Sequence, residues 1–179
     1  MIEGSATRLW LMRASFLALC MALIFFQLLP LETIPRRFTG PDLLLAFTLA
    51  WSVRRPDYVP ILSIAAVTLI ADFLFQRPPG LWAALVVLAS GAVKRRSTGL
   101  RDQTFAVEWL NISIAIIAIT LIYRFVLSVL LIPQAPLGLA SIQMVMTIIT
   151  YPLVVAVTVL GFGVQSVQPG EAETFGGRT

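Results

Sequence analysis

Two charged residues lie inside apolar runs, where an isolated charge is costly. Asp72 lies in the run from Tyr58 to Phe75, and Arg124 lies in the run from Trp109 to Ile132. A charged side chain at the centre of a membrane helix costs about 2.5–3.5 kcal/mol on insertion scales, so it usually has a partner or a function. A carboxylate and a guanidinium can form an ion pair, which is the simplest interaction available to these two residues.

Their spacing places the two charges at similar depth. Asp72 follows Tyr58 by fourteen residues, and Arg124 follows Trp109 by fifteen. At 1.5 Å per helical residue, each charge lies roughly 21 Å along its helix, and the two runs are predicted to point the same way. We therefore predict an Asp72–Arg124 ion pair inside the bundle, which would spare both charges the cost of isolation. In the alternative interpretation, each side chain reaches the outer interface alone.

The composition indicates a membrane protein. Hydrophobic residues make up 58% of the 179 residues and charged residues 12%, with a mean hydropathy of +0.90. That charged fraction is about half the usual share, and a soluble domain of this size could not cover so much apolar surface. The single cysteine, Cys20, lies in an apolar run, which favours a buried small hydrophobic residue over a reactive thiol.

Six apolar runs are predicted to be transmembrane helices. The second and fourth are short for a bilayer, which needs about 20 residues, so we expect them to be tucked, tilted or set in thinned membrane. Pro133 and Pro136 separate the fifth run from the sixth, and Pro152 predicts a kink. The predicted all-α domain covers residues 1–164, followed by a polar, disordered tail at 165–179; its spans are 9–29, 41–53, 58–75, 80–93, 109–132 and 139–164.

Basic residues predict the orientation of these spans. With the N-terminus inside, nine Lys and Arg residues fall on the cytoplasmic side and three outside, which places both termini in the cytoplasm. The inner nine are Arg8, Arg13, Arg54, Arg55, Lys94, Arg95, Arg96, Arg101 and Arg178, and the outer three are Arg36, Arg37 and Arg77. This pattern explains the basic charge without nucleic acid, since no basic run is interleaved with exposed aromatic residues.

Polar residues between the runs have structural as well as functional interpretations. Asp42 lies at the start of the second helix, where a carboxylate complements the positive end of the helix dipole. Arg54, Arg55 and the basic residues 94–96 either follow the positive-inside rule and contact anionic lipid, or form a docking surface for a cytoplasmic partner. The Pro-Pro-Gly at 78–80 predicts a tight turn into the fourth helix.

No catalytic constellation is present in the sequence. It has no histidine, no P-loop, no nucleophile elbow and no metal-ligand spacing. We therefore expect no enzymatic activity, no cofactor and no metal.

Between residues 41 and 96, several motifs stand in a distinctive order and spacing. They are Pro41-Asp42-Leu43-Leu44, Trp51, Arg55-Pro56, Ala71-Asp72-Phe73-Leu74-Phe75 and Pro79-Gly80-Leu81. This block resembles the rod shape-determining protein MreD family, and the chain length, the six-span plan and the short polar tail also fit. Outside the block the agreement is in hydropathy alone.

The resemblance implies a role in the bacterial elongation machinery for lateral peptidoglycan synthesis, at the inner membrane. Members are thought to bind the single-span protein MreC and to act with the filament MreB and the synthase pair RodA and PBP2. The resemblance also implies a fold similar to the substrate-binding subunit of energy-coupling-factor vitamin transporters. No catalytic residue is implied; the candidate structural or partner-binding residues are Asp42, Trp51, Arg54, Arg55, Asp72, Gly80, Leu81 and Arg124.

Two functions of different classes fit these observations. The first is a non-enzymatic scaffold that binds the helix of an MreC-like partner in a lipid-facing groove, with small residues such as Ala46, Ala50, Ala65 and Ala66 allowing close approach. Alternatively, these alanines pack within the bundle. The second function is a small-molecule-binding subunit of a vitamin transporter, which needs a polar-lined outer pocket. The sequence offers few convergent polar groups there beyond Asp42, Asp72 and Arg124, which favours the scaffold.

Overall fold

A computed structural model of the chain describes residues 2–29, 40–99 and 104–162. Within these ranges it contains six α-helices, one 3₁₀ turn and no strand, which confirms the all-α prediction. The elements are α1 (Ile2–Leu28), α2 (Leu43–Arg54), the 3₁₀ turn (Pro56–Tyr58), α3 (Ile61–Leu74), α4 (Leu81–Gly99), α5 (Phe105–Val129) and α6 (Leu137–Phe162). The tail predicted at 165–179 lies outside the described residues, as do the loop residues Arg36, Arg37 and Arg101.

The six apolar runs correspond to the six helices in order. Helix α1 begins at Ile2, seven residues before the predicted start at residue 9, and two further boundaries differ by four residues or more. Helix α4 continues to Gly99, through the basic residues 94–96, whereas the predicted span ends at Val93. Helix α5 begins at Phe105, one turn before the predicted start at Trp109. In both cases the hydropathy pattern marks where apolar surroundings end, whereas the helix continues as long as its backbone hydrogen bonds do.

Helix α2 forms the centre of the bundle. Its nine consecutive residues Leu44–Ser52 are all buried, and it packs against α1, α4 and α6. Helix α3 packs on α4 and α1, and α5 packs on α4 and α6. At 12 residues α2 is only about 18 Å long, and its burial on every face agrees with the first of the three arrangements expected for this short run, in which it is tucked inside the bundle.

Three of the described helices are long and apolar enough to cross a membrane: α1 over Thr7–Leu28, α5 over Phe105–Val129 and α6 over Leu137–Gly161. Helices α2 and α3 are apolar but shorter. Large apolar side chains are exposed along the long helices, for example Phe26 at 63% and Phe125 at 70%. Such a surface is compatible with a lipid environment, because soluble monomers rarely expose large contiguous apolar patches.

The two ends of the bundle differ in their turns. End A contains the start of α2, the α3–α4 turn at residues 75–80 and the α5–α6 turn at residues 130–136. End B contains the α2–α3 connection and the start of α5. The α5–α6 turn contains Pro133, where the sequence predicted a break. Leu131, within the same turn, has a φ of +55°.

Candidate functional site

Asp72 holds the α3–α4 turn together. The backbone N–H groups of Gly80 and Ala83 donate to Asp72 Oδ2 at 3.0 and 3.1 Å. The first N–H groups of a helix have no partner within the helix, so this carboxylate on α3 caps the start of α4. Asp72 is fully buried, and its contact with the α4 amides supports a structural role.

The geometry of the α3–α4 turn explains why Gly80 and Leu81 occupy their positions. The Arg77 N–H donates to the Asp72 carbonyl oxygen at 2.9 Å and the Gln76 N–H to that of Phe73 at 3.2 Å, which is a Schellman ending for α3. Gly80 has a φ of +85°, a conformation that glycine adopts without steric cost. Leu81 follows as the first residue of α4.

The predicted Asp72–Arg124 ion pair is wrong. Within the described residues no ion pair joins them, and each has other partners. Asp72 binds the α4 amides, whereas Arg124 Nη1 donates to the Ala135 carbonyl oxygen in the α5–α6 turn at 3.1 Å. Depth along a helix fixes one coordinate only, and the direction in which each side chain points separates the two charges.

Asp42 caps α2, as predicted. Its Oδ1 accepts a hydrogen bond from the Leu45 N–H at 3.0 Å, and its own N–H donates to the Thr147 hydroxyl on α6 at 2.9 Å. The second carboxylate oxygen lies 4.0 Å from an Arg77 guanidinium nitrogen. The start of α2 is therefore tied both to α6 and to the α3–α4 turn.

Trp51 is a core residue of α2 with no exposed surface. Its ring lies 5.2 Å from that of Phe47 and 5.8 Å from that of Phe16 on α1. These aromatic contacts give Trp51 a structural role at the α1–α2 interface. Arg55 lies just after α2, with its guanidinium 5.8 Å from the Tyr58 ring centroid.

A buried polar network at end B involves a residue that the sequence analysis did not single out. Arg54 donates twice to Glu108, from Nε to Oε1 at 3.0 Å and from Nη2 to Oε2 at 3.1 Å. The Tyr151 hydroxyl donates to Glu108 Oε1 at 2.8 Å. The Arg54 and Glu108 side chains are 11% and 9% exposed. This network joins α2, α5 and α6. Its one sequence signal is an acidic residue within the first turn of α5, a position that favours a negative charge.

An apolar groove, here called the α4–α5 groove, lies between α4 and α5 with a cavity volume of about 350 Å³. Large side chains at its edges are well exposed, with Leu88 at 69% and Ile114 at 52%, so the groove is open to the surroundings. Four alanines line it, two on each helix. The polar side chains of the lining lie where the groove approaches end B. The lining residues are Val53, Leu85, Leu88, Ala89, Ala92, Val93, Arg96, Glu108, Asn111, Ile114, Ala115, Ala118, Ile119 and Ile122.

The alanines predicted to line a lipid-facing groove are distributed differently. Ala46 and Ala50 are fully buried in the centre of the bundle, so the prediction is wrong for these two. Ala65 is half-buried and Ala66 exposed on α3, and neither lines the α4–α5 groove.

A second cavity, here called the end-A pocket, has a volume of about 340 Å³. It brings together Asp42 and Arg124, two of the predicted residues, with Arg77 and several neutral polar groups. Its lining is Asp42, Leu45, Gln76, Arg77, Pro78, Trp82, Ile116, Thr120, Tyr123, Arg124, Leu127, Ile132, Pro133, Gln134, Ala135, Leu139, Ala140, Gln143, Met144 and Thr147. More polar side chains therefore line this pocket than the sequence analysis expected at the outer end of the bundle.

Comparison of the chain with protein-family models, curated proteins and solved structures found no match.

Proposed function

We propose that the chain is a non-enzymatic membrane scaffold that binds the transmembrane helix of a single-span partner in the α4–α5 groove. The observation that carries this proposal is the groove itself, which is apolar, open and lined by Ala89, Ala92, Ala115 and Ala118. Small residues let helix backbones approach closely, and in lipid this close packing is what drives helices to associate.

The polar residues at one end of the groove would fix the direction in which a partner helix binds. Arg96 and Asn111 line it near end B, and the Arg96 Nη1 lies 3.5 Å from Asn111 Oδ1. Arg96 is exposed, so its remaining donors are accessible to a partner. A partner helix with an acidic or polar residue at its end-B flank would complement this charge.

The membrane arrangement is part of the proposal. We infer a multi-pass protein of the bacterial inner membrane, with six spans, both termini in the cytoplasm and end B on the cytoplasmic side. The nine-to-three distribution of basic residues supports this orientation. The short helices α2 and α3 would then lie in a locally thinned bilayer or span only part of its thickness.

The cellular role follows from the motif block at residues 41–96. Its resemblance to the MreD family supports placing the scaffold in the bacterial elongation complex, with an MreC-like partner and possible links to MreB, RodA and PBP2. A fold similar to the substrate-binding subunit of energy-coupling-factor transporters belongs to the same proposal.

Affinity purification from native membranes tests the binding proposal. The wild-type chain should recover an MreC-like single-span protein together with wall-synthesis proteins. Ala118→Leu should reduce this recovery, because the added side chain fills the groove. Ala156→Leu, at an exposed position on α6 outside the groove, is the matched control and should recover the partner normally.

Depletion of the protein separates the scaffold from the transporter subunit. In a rod-shaped host, depletion should produce round cells and leave vitamin uptake unchanged. Normal cell shape with failed uptake of one vitamin, or recovery of an ATPase pair in the purification, would overturn the scaffold proposal.

A further inference from the structure

The end-A pocket has a lining that the scaffold function does not use. It shares no residue with the α4–α5 groove, and it lies at end A, whereas the polar residues of the groove lie near end B. We propose that this pocket binds a phosphate group carried on an apolar body, with Arg77 and Arg124 as the charged ligands of the phosphate.

The two arginines are only partly engaged by the protein. The Arg124 guanidinium donates to the Ala135 carbonyl oxygen, and it makes no other hydrogen bond or ion pair with a described residue; the Arg124 backbone carbonyl oxygen accepts from Gln134 Nε2 at 3.1 Å. Arg77 has its nearest carboxylate oxygen, on Asp42, at 4.0 Å, and its guanidinium lies 4.9 Å from the Trp82 ring centroid. A guanidinium carries five N–H donors, so both groups retain donors for a ligand.

The charge of the lining favours an anion. Asp42 is the one carboxylate among the lining residues, against the two arginines. One of its oxygens already accepts the Leu45 N–H at the start of α2. Asp72 lies close enough to interact electrostatically with Arg77 and Tyr123, but it does not line the pocket and already accepts the α4 amides. The side chains that line the cavity therefore carry a net positive charge, which favours a bound anion.

Neutral donors reinforce this preference. The Tyr123 hydroxyl and the Gln143 side-chain amide both line the pocket, and neither makes a hydrogen bond to another described residue. Together with the arginines they offer more donors than the two oxygens of a carboxylate require. Phosphate presents more acceptor oxygens, and arginine matches its geometry bidentately.

The remaining lining requires an apolar body on the ligand. Trp82, Ile116, Leu127 and Met144 contribute apolar surface, and a volume of about 340 Å³ lies within the usual range of small-ligand sites. The same chemistry has two sources: the headgroup of an anionic phospholipid that enters from the bilayer, and a soluble phosphorylated molecule.

The full-length protein in detergent tests the site by native mass spectrometry with three probes. Phosphatidylglycerol and phosphatidylcholine of equal chain length compare an anionic with a zwitterionic headgroup, and hexyl phosphate, which carries a short apolar chain, represents a soluble source. Arg77→Gln and Arg124→Gln each remove one proposed ligand. Arg8→Gln, at an exposed position on α1, removes the same charge outside the pocket. Tyr123→Phe is a mild variant that removes a single hydroxyl.

We expect the wild-type protein to bind phosphatidylglycerol more tightly than phosphatidylcholine. Each arginine variant should weaken this binding by about tenfold or more, as loss of a charge-assisted hydrogen bond does, and Tyr123→Phe should weaken it less. Arg8→Gln should bind as the wild type does. Binding of hexyl phosphate with the same pattern of losses identifies a soluble ligand, whereas binding of the lipid alone identifies the bilayer as the source.

Equal affinity for the two lipids, with no binding of hexyl phosphate, would overturn the proposal. An equal loss in Arg8→Gln would overturn it too, because the preference would then reflect the overall charge of the protein. If an arginine variant does not fold, as judged by its thermal midpoint without lipid, the effect of Tyr123→Phe decides the question.

Discussion

At the scale of single residues, Asp72 connects two helices through backbone hydrogen bonds. Its Oδ2 accepts the N–H groups of Gly80 and Ala83. The first N–H groups of a helix have no partner within the helix, so removal of the carboxylate leaves these two groups without their acceptor. A single side chain on α3 therefore determines whether α4 begins correctly.

Replacement of Asp72 should lower the stability of the protein. Asp72→Ala removes the cap and should cost about 1–2 kcal/mol, the usual range for loss of a capping side chain. Asp72→Asn keeps an acceptor oxygen and should cost less. The thermal midpoint of the detergent-purified protein measures both changes.

The double variant distinguishes this role from the ion pair that the sequence predicted. With separate partners, the effects of Asp72→Ala and Arg124→Ala should add, as they do for independent sites. Recovery of stability in the double variant, relative to Asp72→Ala alone, would instead show that the two charges interact.

The sequence predicted residue roles well where the cause is local. The capping role of Asp42 depends on its position at the start of α2, which the sequence shows directly. The partners of Asp72 and Arg124 depend on the rotation of α3 and α5 about their axes, which depth does not determine. Glu108 was missed because the predicted span begins at Trp109, one residue later.

At the scale of helices, the contact of Arg54, Glu108 and Tyr151 joins α2, α5 and α6 at end B. Both charged side chains are largely buried, and each carboxylate oxygen of Glu108 accepts at least one hydrogen bond. Removal of one charge would leave the other buried without its partner, which is more costly than removal of both.

Glu108→Ala should therefore destabilise the protein by about 3–5 kcal/mol, the range for breaking a buried ion pair. The double change Arg54→Met and Glu108→Leu should recover much of this loss, since apolar residues of similar volume can replace a buried pair. Thermal unfolding in detergent measures both variants. A double variant as unstable as Glu108→Ala would show that the pair does not determine the stability of this interface.

The helix order could be predicted because it follows from the positions of the apolar runs, whereas the length of the second run left α2 either tucked, tilted or in thinned membrane. The sequence does not determine which pair of helices leaves a groove between them. Ala46 and Ala50 have the spacing of a packing interface, but α2 uses them against its own neighbours. The four alanines of the α4–α5 groove come from two helices, so their convergence depends on how those helices pack.

At the scale of the whole molecule, different regions have different tasks. The motif block at residues 41–96 contains the central helix α2 and the α3–α4 turn, and the α4–α5 groove is the surface that we propose for a partner. The central claim is that this groove holds the transmembrane helix of a single-span protein. The claim therefore concerns one face of the bundle, which a probe placed on that face tests directly.

Site-specific photo-crosslinking in living cells makes this test. A photoreactive amino acid is placed at position 118 in the groove, at position 156 on α6 or at position 66 on α3, all of them exposed alanines in the native chain. We predict that position 118 alone forms an adduct with a single-span membrane protein, identified by mass spectrometry. An adduct of the same protein from position 66 or 156, with none from position 118, would contradict the proposed groove.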